Sequence, residues 1–543
     1  MSRRRAGPVA RAGTLFAFLA GCAGVVCLGA CSRPASDDDT LNLALAASPN
    51  KLDPALVVDV DEGRICALVF QGLVRFDQSG GLAADLAKTW STDEGSTRYV
   101  FHLDTRMKYS NGRRVNASDV VWSYQRVLAP SSPAPRPWVL SRIRGAGDFS
   151  RGEARDIEGL SAPDDSTVVI ELGEPFGPFL SMLALPAAMV VPREELELPR
   201  EGVPGGRAGF LTFPGSPIGS GAWQVAEWER GDYLLLAPNP HHPRASKTIG
   251  KVRYRVVPEA FTRVAEFESG SLDILEIPPP EQVRFLADGR YAERIQRRPA
   301  LRVFYIGINN SRPPFDDVRV RRALNMAVNV DRLIEVLADG HAIRAAGAVP
   351  PGLRGHEGRT PYRYDPAGAR RLLAQAGHPD GLPMEIWQRD SPEGNRVLEA
   401  VQGYLHEVGV EVRLVRREWS AFKEAVSAGR VDAFYLDWYA DYPDPENFVY
   451  PLFHSRNAGG GGNRVFFRDE SIDRLIDAAA RLVDAGESAR AYARIDSLVY
   501  DQAPWIYLYF PEVFYAVSER ISGYEMPALY LGEDFTGVDK APE

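Results

Sequence analysis

Few residues of this chain are arranged for covalent chemistry. Its 543 residues contain no Gly-x-Ser-x-Gly, so no strained elbow presents a serine nucleophile. His356-Glu357 and His406-Glu407 each lack the second histidine, four positions after the first, of a zinc-protease helix. His241-His242 is an adjacent pair, and neighbours on a strand or helix point apart, which suits a shared metal poorly. The Gly459-Gly460-Gly461-Gly462 run lacks the Lys-Ser/Thr and the strand-turn-helix frame of a phosphate loop. Two carboxylates can meet in space from any two positions, so spacing alone leaves open a hydrolase using scattered acids. No metal or cofactor is expected. A motif-poor chain with 10% aromatic residues suits binding better than catalysis.

Composition narrows the reading further. The chain is 45% hydrophobic and 25% charged, which excludes a disordered chain, a fibre and a disulfide-rich mini-protein. A net charge of −9 argues against non-specific nucleic-acid binding. Arg3, Arg4, Arg5 and Arg11 precede an uncharged apolar run at 15–30, short for a membrane span and suited to a secretory signal. That run ends Leu28-Gly29-Ala30-Cys31, which looks like a bacterial lipobox, implying cleavage before Cys31 and lipidation of its thiol. Removing four arginines takes the charge from −9 to −13. Only Cys66 then remains besides Cys31. It has no disulfide partner and reads as a small buried hydrophobe. Residues 31–40, with three successive aspartates, read as a flexible tether.

The elements that would position a binding site alternate between strand and helix. Leu41, Leu43 and Leu45 share one face of a strand, and Tyr99, Phe101 and Leu103 one face of another. Ser118 is expected to N-cap a helix with Val121, Tyr124, Val127 and Leu128 inside. Asp317 caps a second helix, and Asn329 or Asp331 starts a third. Strands at 410–415 and 433–438 flank a helix at 421–428, and 471–483 is amphipathic. Pro/Gly-rich stretches at 129–137, 201–221 and 349–360 read as loops. The interleaving predicts α/β lobes.

Four segments carry a resemblance. They are Leu52-Asp53-Pro54 with Val69-Phe70-Gln71-Gly72-Leu73-Val74; Tyr109-Ser110-Asn111-Gly112 with Val115-Asn116-Ala117-Ser118-Asp119-Val120-Val121-Trp122-Ser123-Tyr124; Pro314-Phe315-Asp316-Asp317-Val318-Arg319-Val320-Arg321-Arg322-Ala323-Leu324; and Asp437-Trp438-Tyr439-Ala440-Asp441-Tyr442-Pro443-Asp444-Pro445. In this order they resemble the family-5 extracellular solute-binding proteins of ABC transporters, of the oligopeptide- and dipeptide-binding lipoprotein type, over about 41–515. Arg113-Arg114 stand where the family usually has an acid–proline pair.

The resemblance implies an α/β, two-lobed, periplasmic-binding-protein-like clamp with an accessory third domain. Lobe I would comprise 41–70, 190–302 and 509–543, the accessory domain 71–189, and lobe II 303–508, with crossovers near 303–306 and 507–510. Residues 1–30 would be the lipoprotein signal. The implied ligand is a peptide held as an added β-strand on Val58-Asp59-Val60 and Asp437-Trp438-Tyr439. Asp441 would pair with its ammonium, with Asp444 as a rival that also suits a turn. Trp419, Trp438 and Tyr509 would wall side-chain pockets, and Asn309 could face the cleft. The arginines that precede the family's Ala-Asp-Tyr are replaced here by Val426 and Tyr435, with Arg416, Arg417 and Arg430 out of register, so recognition of a peptide carboxylate stays open. Implied partners are a peptide, the permease subunits of an importer and the membrane through Cys31, with a monomeric protein exported to the cell envelope. The alternative is a family member binding a nickel complex, an opine, haem or a sugar oligomer.

Overall fold

The computed structural model describes residues 39–197, 210–213 and 215–542. Cys31, the apolar run before it and the tether up to residue 38 lie outside them.

The first lobe is built on a four-stranded sheet in the order Thr40–Leu45, Lys251–Val256, Tyr233–Pro238, Trp223–Glu229. Thr40–Leu45 pairs in parallel with Lys251–Val256, and the other pairings are antiparallel. The alternation is realised: Leu41, Leu43 and Leu45 are all buried. Strand structure already begins at Thr40, where the tether was expected to end. Cys66 lies on the helix Val60–Val69 as a fully buried free thiol in the same core.

A second four-stranded antiparallel sheet, in the order Ala87–Thr92, Arg98–Leu103, Thr167–Glu171, Leu160–Asp164, carries the accessory region. Its helix Ala117–Leu128 is capped by Asn116 and not by Ser118. Asn116 Oδ1 accepts from Asp119 N at 3.1 Å, and Asp119 Oδ2 accepts from Asn116 N at 3.0 Å. An acid at the third helical position closes this reciprocal box, which Ser118 as cap would forgo. Arg113, a departure from the family pattern, holds the same Asp119 at 2.9 Å. Val120 is fully buried, whereas the expected Val121 is half-buried. From this helix the Arg126 guanidinium grips Asp53 of Leu52-Asp53-Pro54, with one bond at 2.9 Å, and Leu211 O at 2.7 Å. Both charged side chains are almost wholly buried. A pair so desolvated locks the accessory region to the first lobe, because removing either partner strands the other.

The second lobe surrounds the largest sheet, in the order Ile274–Glu276, Trp505–Val517, Arg302–Ile308, Ala433–Tyr439, Leu382–Arg389, Val410–Arg417. Helices Val318–Ala327, Val330–Leu337 and Pro392–His406 contribute to the core on one face. Helices Trp419–Ser427, Glu446–Phe453, Glu470–Ala480 and Ala485–Asp501 contribute to the core on the other. Covering both faces explains the continuous apolar runs of its central strands. Asp317 caps as expected, accepting from Arg319 N at 2.8 Å. Asn329 and not Asp331 caps the next helix, accepting from Arg332 N at 3.1 Å.

One 13-residue strand, Trp505–Val517, joins the lobes. Residues up to Pro511 pair with Arg302–Ile308 and Ala342–Arg344, and from Glu512 the strand pairs with Ile295–Pro299 and Ile274–Glu276. The change of partner falls at 511–512. A strand shared by two lobes lets them rotate about it without losing either core, so the architecture is a two-lobed α/β clamp.

Candidate functional site

The site begins with an unfinished sheet edge. Ala433–Tyr439 pairs with Arg302–Ile308 along its whole length, from Ala433↔Ile308 to Tyr439↔Arg302. Its other neighbour, Leu382–Arg389, pairs with it only at Ala433 and Phe434. No strand among the described residues pairs with the open edge from Tyr435 to Tyr439. Ala440 N donates to Leu301 O at 2.9 Å, which sets the phase of the ladder. By alternation the backbone N–H and C=O of Asp437 and Tyr439 point to the open edge. These groups are what an added extended chain would bond.

Asp441 follows directly. Its backbone N donates to Asn447 Oδ1 at 2.9 Å, fixing the turn. Its Oδ1 accepts from Arg136 Nη1 at 2.8 Å, and its Oδ2 has no hydrogen-bond partner among the described residues. Arg136 Nη2 reaches across to Val58 O at 3.1 Å. The pattern of arginines that was missing near Ala440-Asp441-Tyr442 is thus met in space from the Pro-rich loop 129–137, over 300 residues away.

Asp441 and Trp438 line a cavity of about 620 Å³, with Trp138, Phe176 and Met182 from the accessory region and Tyr442 and Tyr450 from the second lobe. Trp438 Nε1 is buried without a partner. Arg142, Arg456, Arg481, Glu174, Glu446 and Asp477 add charge to the wall. Burial pushes the Glu446 carboxyl up to about 7, while the Tyr442 hydroxyl donates to it. A second cavity of about 450 Å³, walled by Arg302, Phe304, Asp61, Arg64 and Glu276, involves both lobes.

The remaining candidates are not all brought to this place. Val58-Asp59-Val60 is not a strand: Asp59 is the N-cap of Val60–Val69, with φ −86° and ψ 150°, and Val58 and Val60 are 48% and 41% exposed. The carbonyl of Val58 is held by Arg136. The carboxylate of Asp437 pairs with Arg302 at 2.8 Å. Asp444 is 1% exposed, ion-paired to Arg354, and accepts from Glu446 N at 2.9 Å. It is a buried turn residue and lines neither cavity. Burial pushes its carboxyl up.

Trp419 lies on the surface, 40% exposed, stacked on Phe422 with Lys423 Nζ 4.9 Å from its ring, and lines neither cavity. It opens a helix whose Phe422, Ala425 and Val426 face the core, while the indole itself stays on the solvent side. Tyr509 is buried in the second-lobe core, its ring 5.2 Å from that of Phe304, and burial pushes its phenol up to about 12. Tyr509 borders a void of about 40 Å³ next to Pro511 and lines neither of the two larger cavities. Asn309 does not face the cleft. Its amide donates to Gly429 O and Val431 O at 3.1 and 3.2 Å, and its carbonyl accepts from Ser311, so its polar capacity is spent holding a loop.

Sequence reasoning missed Arg136, Trp138, Glu446 and Arg456. Arg136 sits between Pro135 and Pro137, immediately before Trp138. That signal marks a rigid loop presenting a cation and an aromatic ring, and nothing in it names the partner.

The model for bacterial extracellular solute-binding proteins, family 5 (middle), matches residues 81–460. Heme-binding protein A of Haemophilus influenzae is 27% identical over 508 residues, covering 90% of each chain. The probable D,D-dipeptide-binding periplasmic protein DdpA of Escherichia coli is 26% identical over 497 residues, covering 90% of this chain and 91% of the relative. The solved structure of HbpA2 from Haemophilus parasuis superposes with a TM-score of 0.76 at 25% identity, covering 92% of this chain and 99% of that one.

Proposed function

This chain belongs to the bacterial extracellular solute-binding proteins of family 5, and on that premise we propose that it captures peptides between its lobes and delivers them to the permease of an ABC importer. One observation carries the reading: an open sheet edge at Asp437 and Tyr439 runs directly into Asp441, whose Oδ2 is unpaired and whose side chain lines a cavity with two tryptophans. Backbone bonds to such an edge give affinity without reading side chains. An ammonium entering a cavity that excludes water needs a carboxylate, and Asp441 supplies one while Oδ1 keeps Arg136. Aromatic walls accept many side chains.

In this reading Asp437, Trp438 and Tyr439 bind the peptide backbone and Trp438 walls a side-chain pocket. Val58, Asp59 and Val60 form an exposed rim on the opposite lobe. Lobe I is 41–70 with 190–302 and 509–543, the accessory domain 71–189, and lobe II 303–508. The protein is a monomer, exported to the cell envelope and held there by a lipid on Cys31. It works by binding, without catalysis.

The test is titration calorimetry of wild type and Asp441→Asn with one peptide in free-amine and N-acetylated forms. One charge-assisted bond to a carboxylate that the closed cleft shields from water contributes about 1.5–3 kcal/mol, so acetylation should cost the wild type roughly 10- to 150-fold in affinity and the variant little. The difference between the two costs isolates the ammonium contact from any change in lobe closure. If acetylation costs the wild type nothing, the ammonium is not read, and a non-peptide ligand takes precedence: a nickel complex, an opine, haem or a sugar oligomer.

A further inference from the structure

Glu446 is an acid of the cavity wall that the backbone and ammonium contacts leave unused. It opens helix Glu446–Phe453 just after the turn that begins at Asp441, and both side chains line the cavity of about 620 Å³. Only 3% of Glu446 is exposed. Its Oε2 accepts from the Tyr442 hydroxyl, and its Oε1 has no hydrogen-bond partner among the described residues. A carboxyl so buried is costly to ionise until a donor meets its second oxygen.

The other acids of this wall have basic partners. Asp441 holds Arg136 at 2.8 Å, Glu174 takes Arg142 and Arg481 at 3.2 and 2.7 Å, and Asp477 lies 3.3 Å from His454 Nε2. The arginines of the wall are also placed. Arg142 and Arg481 converge on Glu174, Arg142 lies 4.7 Å from the Phe176 ring centre, and Arg456 is exposed to water. Glu446 alone among the wall's acids has no ion-pair partner among the described residues. Aromatic faces share its surroundings. Trp138, Trp438, Tyr442 and Tyr450 line the same cavity, with the Trp138 and Tyr442 rings 6.3 Å apart, and no cation of the described residues lies over any of the four. Ring faces carry negative charge density, so together with a carboxyl they favour a cation over an anion.

We infer that Glu446 binds a cationic side chain on the first residue of the peptide, so that the cavity selects ligands carrying two positive groups, the α-ammonium at Asp441 and the side chain at Glu446. This deepens the peptide reading and rests on it. With the α-ammonium held at Asp441, the first side chain is the one that enters the same cavity. Proton coupling gives the site a signature. Burial pushes the Glu446 carboxyl up to about 7. The charged and titratable groups around it are Tyr442 and Asp444 from the turn, Tyr492 from helix Ala485–Asp501 and Arg142 from the accessory region, with Asp477 on the same cavity wall. A cation binds the ionised form, so below pH 7 its entry must expel a proton and above pH 7 it need not. Affinity for a cationic first side chain, relative to a neutral one, therefore rises roughly tenfold from pH 6 to pH 8.

The test is titration calorimetry of the full-length protein at pH 6 and pH 8 with two tripeptides, whose first residue is lysine or norleucine and whose other residues are alanine, each also made N-acetylated. Norleucine keeps the aliphatic stem and lacks the ammonium. We expect lysine to be favoured over norleucine roughly tenfold at pH 8 and to bind about equally at pH 6. Glu446→Gln should bring the two tripeptides level at both pH values while the penalty for N-acetylation persists, which shows that the variant is folded and takes peptide. Equal binding of the two by the wild type at pH 8, a lysine preference that survives in Glu446→Gln, or one that is the same at both pH values would overturn the inference; a persisting penalty for N-acetylation would then spare the amine reading. A lysine preference lost in Glu446→Gln without any penalty for N-acetylation would support Glu446 and overturn the amine reading. Binding of neither tripeptide would overturn both.

Discussion

Arg136→Gln tests how the lobes are held together around the ligand. The wild-type guanidinium makes two bonds that no other residue duplicates, to Asp441 Oδ1 at 2.8 Å and to Val58 O at 3.1 Å. Ala440, next to Asp441, packs in a second-lobe core and Val57, next to Val58, in the first-lobe core, so the side chain straps one lobe to the other. Each charge-assisted bond contributes about 1.5–3 kcal/mol when fully buried. The Arg136 and Asp441 side chains keep 18% and 23% exposure, so water screens the pair and ~1 kcal/mol per bond is the fitting value. Glutamine is too short to bridge both acceptors. Losing ~2 kcal/mol shifts the closed-to-open ratio by roughly 30-fold. Calorimetry should then show peptide affinity falling by up to roughly 30-fold. The fall should be equal for free-amine and N-acetylated peptides, because in the proposed reading Oδ2 and not Oδ1 receives the ammonium. Small-angle scattering of the unliganded variant should show a larger radius of gyration. The decisive refutation is tighter binding of the free-amine peptide alone. That result would mean the guanidinium occupies the ammonium's place and competes with it.

Two further outcomes follow from the structure and the N-terminal sequence. Burial raises the Glu446 carboxyl from its usual 4.5 to about 7, so the folded state holds a proton that the unfolded state has released between those values. Stability from this group is present below pH 4.5 and is lost as pH rises to 7. Glu446→Gln keeps an acceptor for the Tyr442 hydroxyl, and should therefore match wild type near pH 4 and exceed it at pH 8 by on the order of 3 kcal/mol. Thermal melts at the two pH values check this, and a stability difference independent of pH would contradict it. Cys31→Ala should move the protein from the membrane fraction to the soluble fraction after cell disruption; a variant that still floats with membranes through a high-salt wash would remove the lipid anchor from the reading.

Much of this fold was legible because its signals are local. Leu41, Leu43 and Leu45 needed only a period of two, and Asp317 and Asn329 needed only a side-chain oxygen placed before a helix. Asn116 was missed in favour of Ser118 because both are good caps; the choice turned on which one has an acid three residues on. Asp441 was reached through the motif around it, and the structure gives it a free oxygen, an open edge and a cavity. Asn309, Trp419 and Tyr509 are of residue types that suit a cleft, yet one is spent on a loop, one faces solvent and one fills a core. Side-chain type says what a residue can do and not which way its element turns it.

The amino-acid sequence by itself determined many of the strands and helices, and its four ordered segments carried the resemblance that implied two lobes and pointed to Asp441. Only the tertiary structure decided that Leu382–Arg389 parts from Ala433–Tyr439 after two residues, leaving Asp437 and Tyr439 open, since that depends on how two distant strands diverge as the sheet twists. Only it decided that Arg136 meets Asp441 through Oδ1 on a cavity wall, leaving Oδ2 open. Charges separated by hundreds of residues leave no periodic trace in the chain. Their pairing is set by how the lobes close in three dimensions.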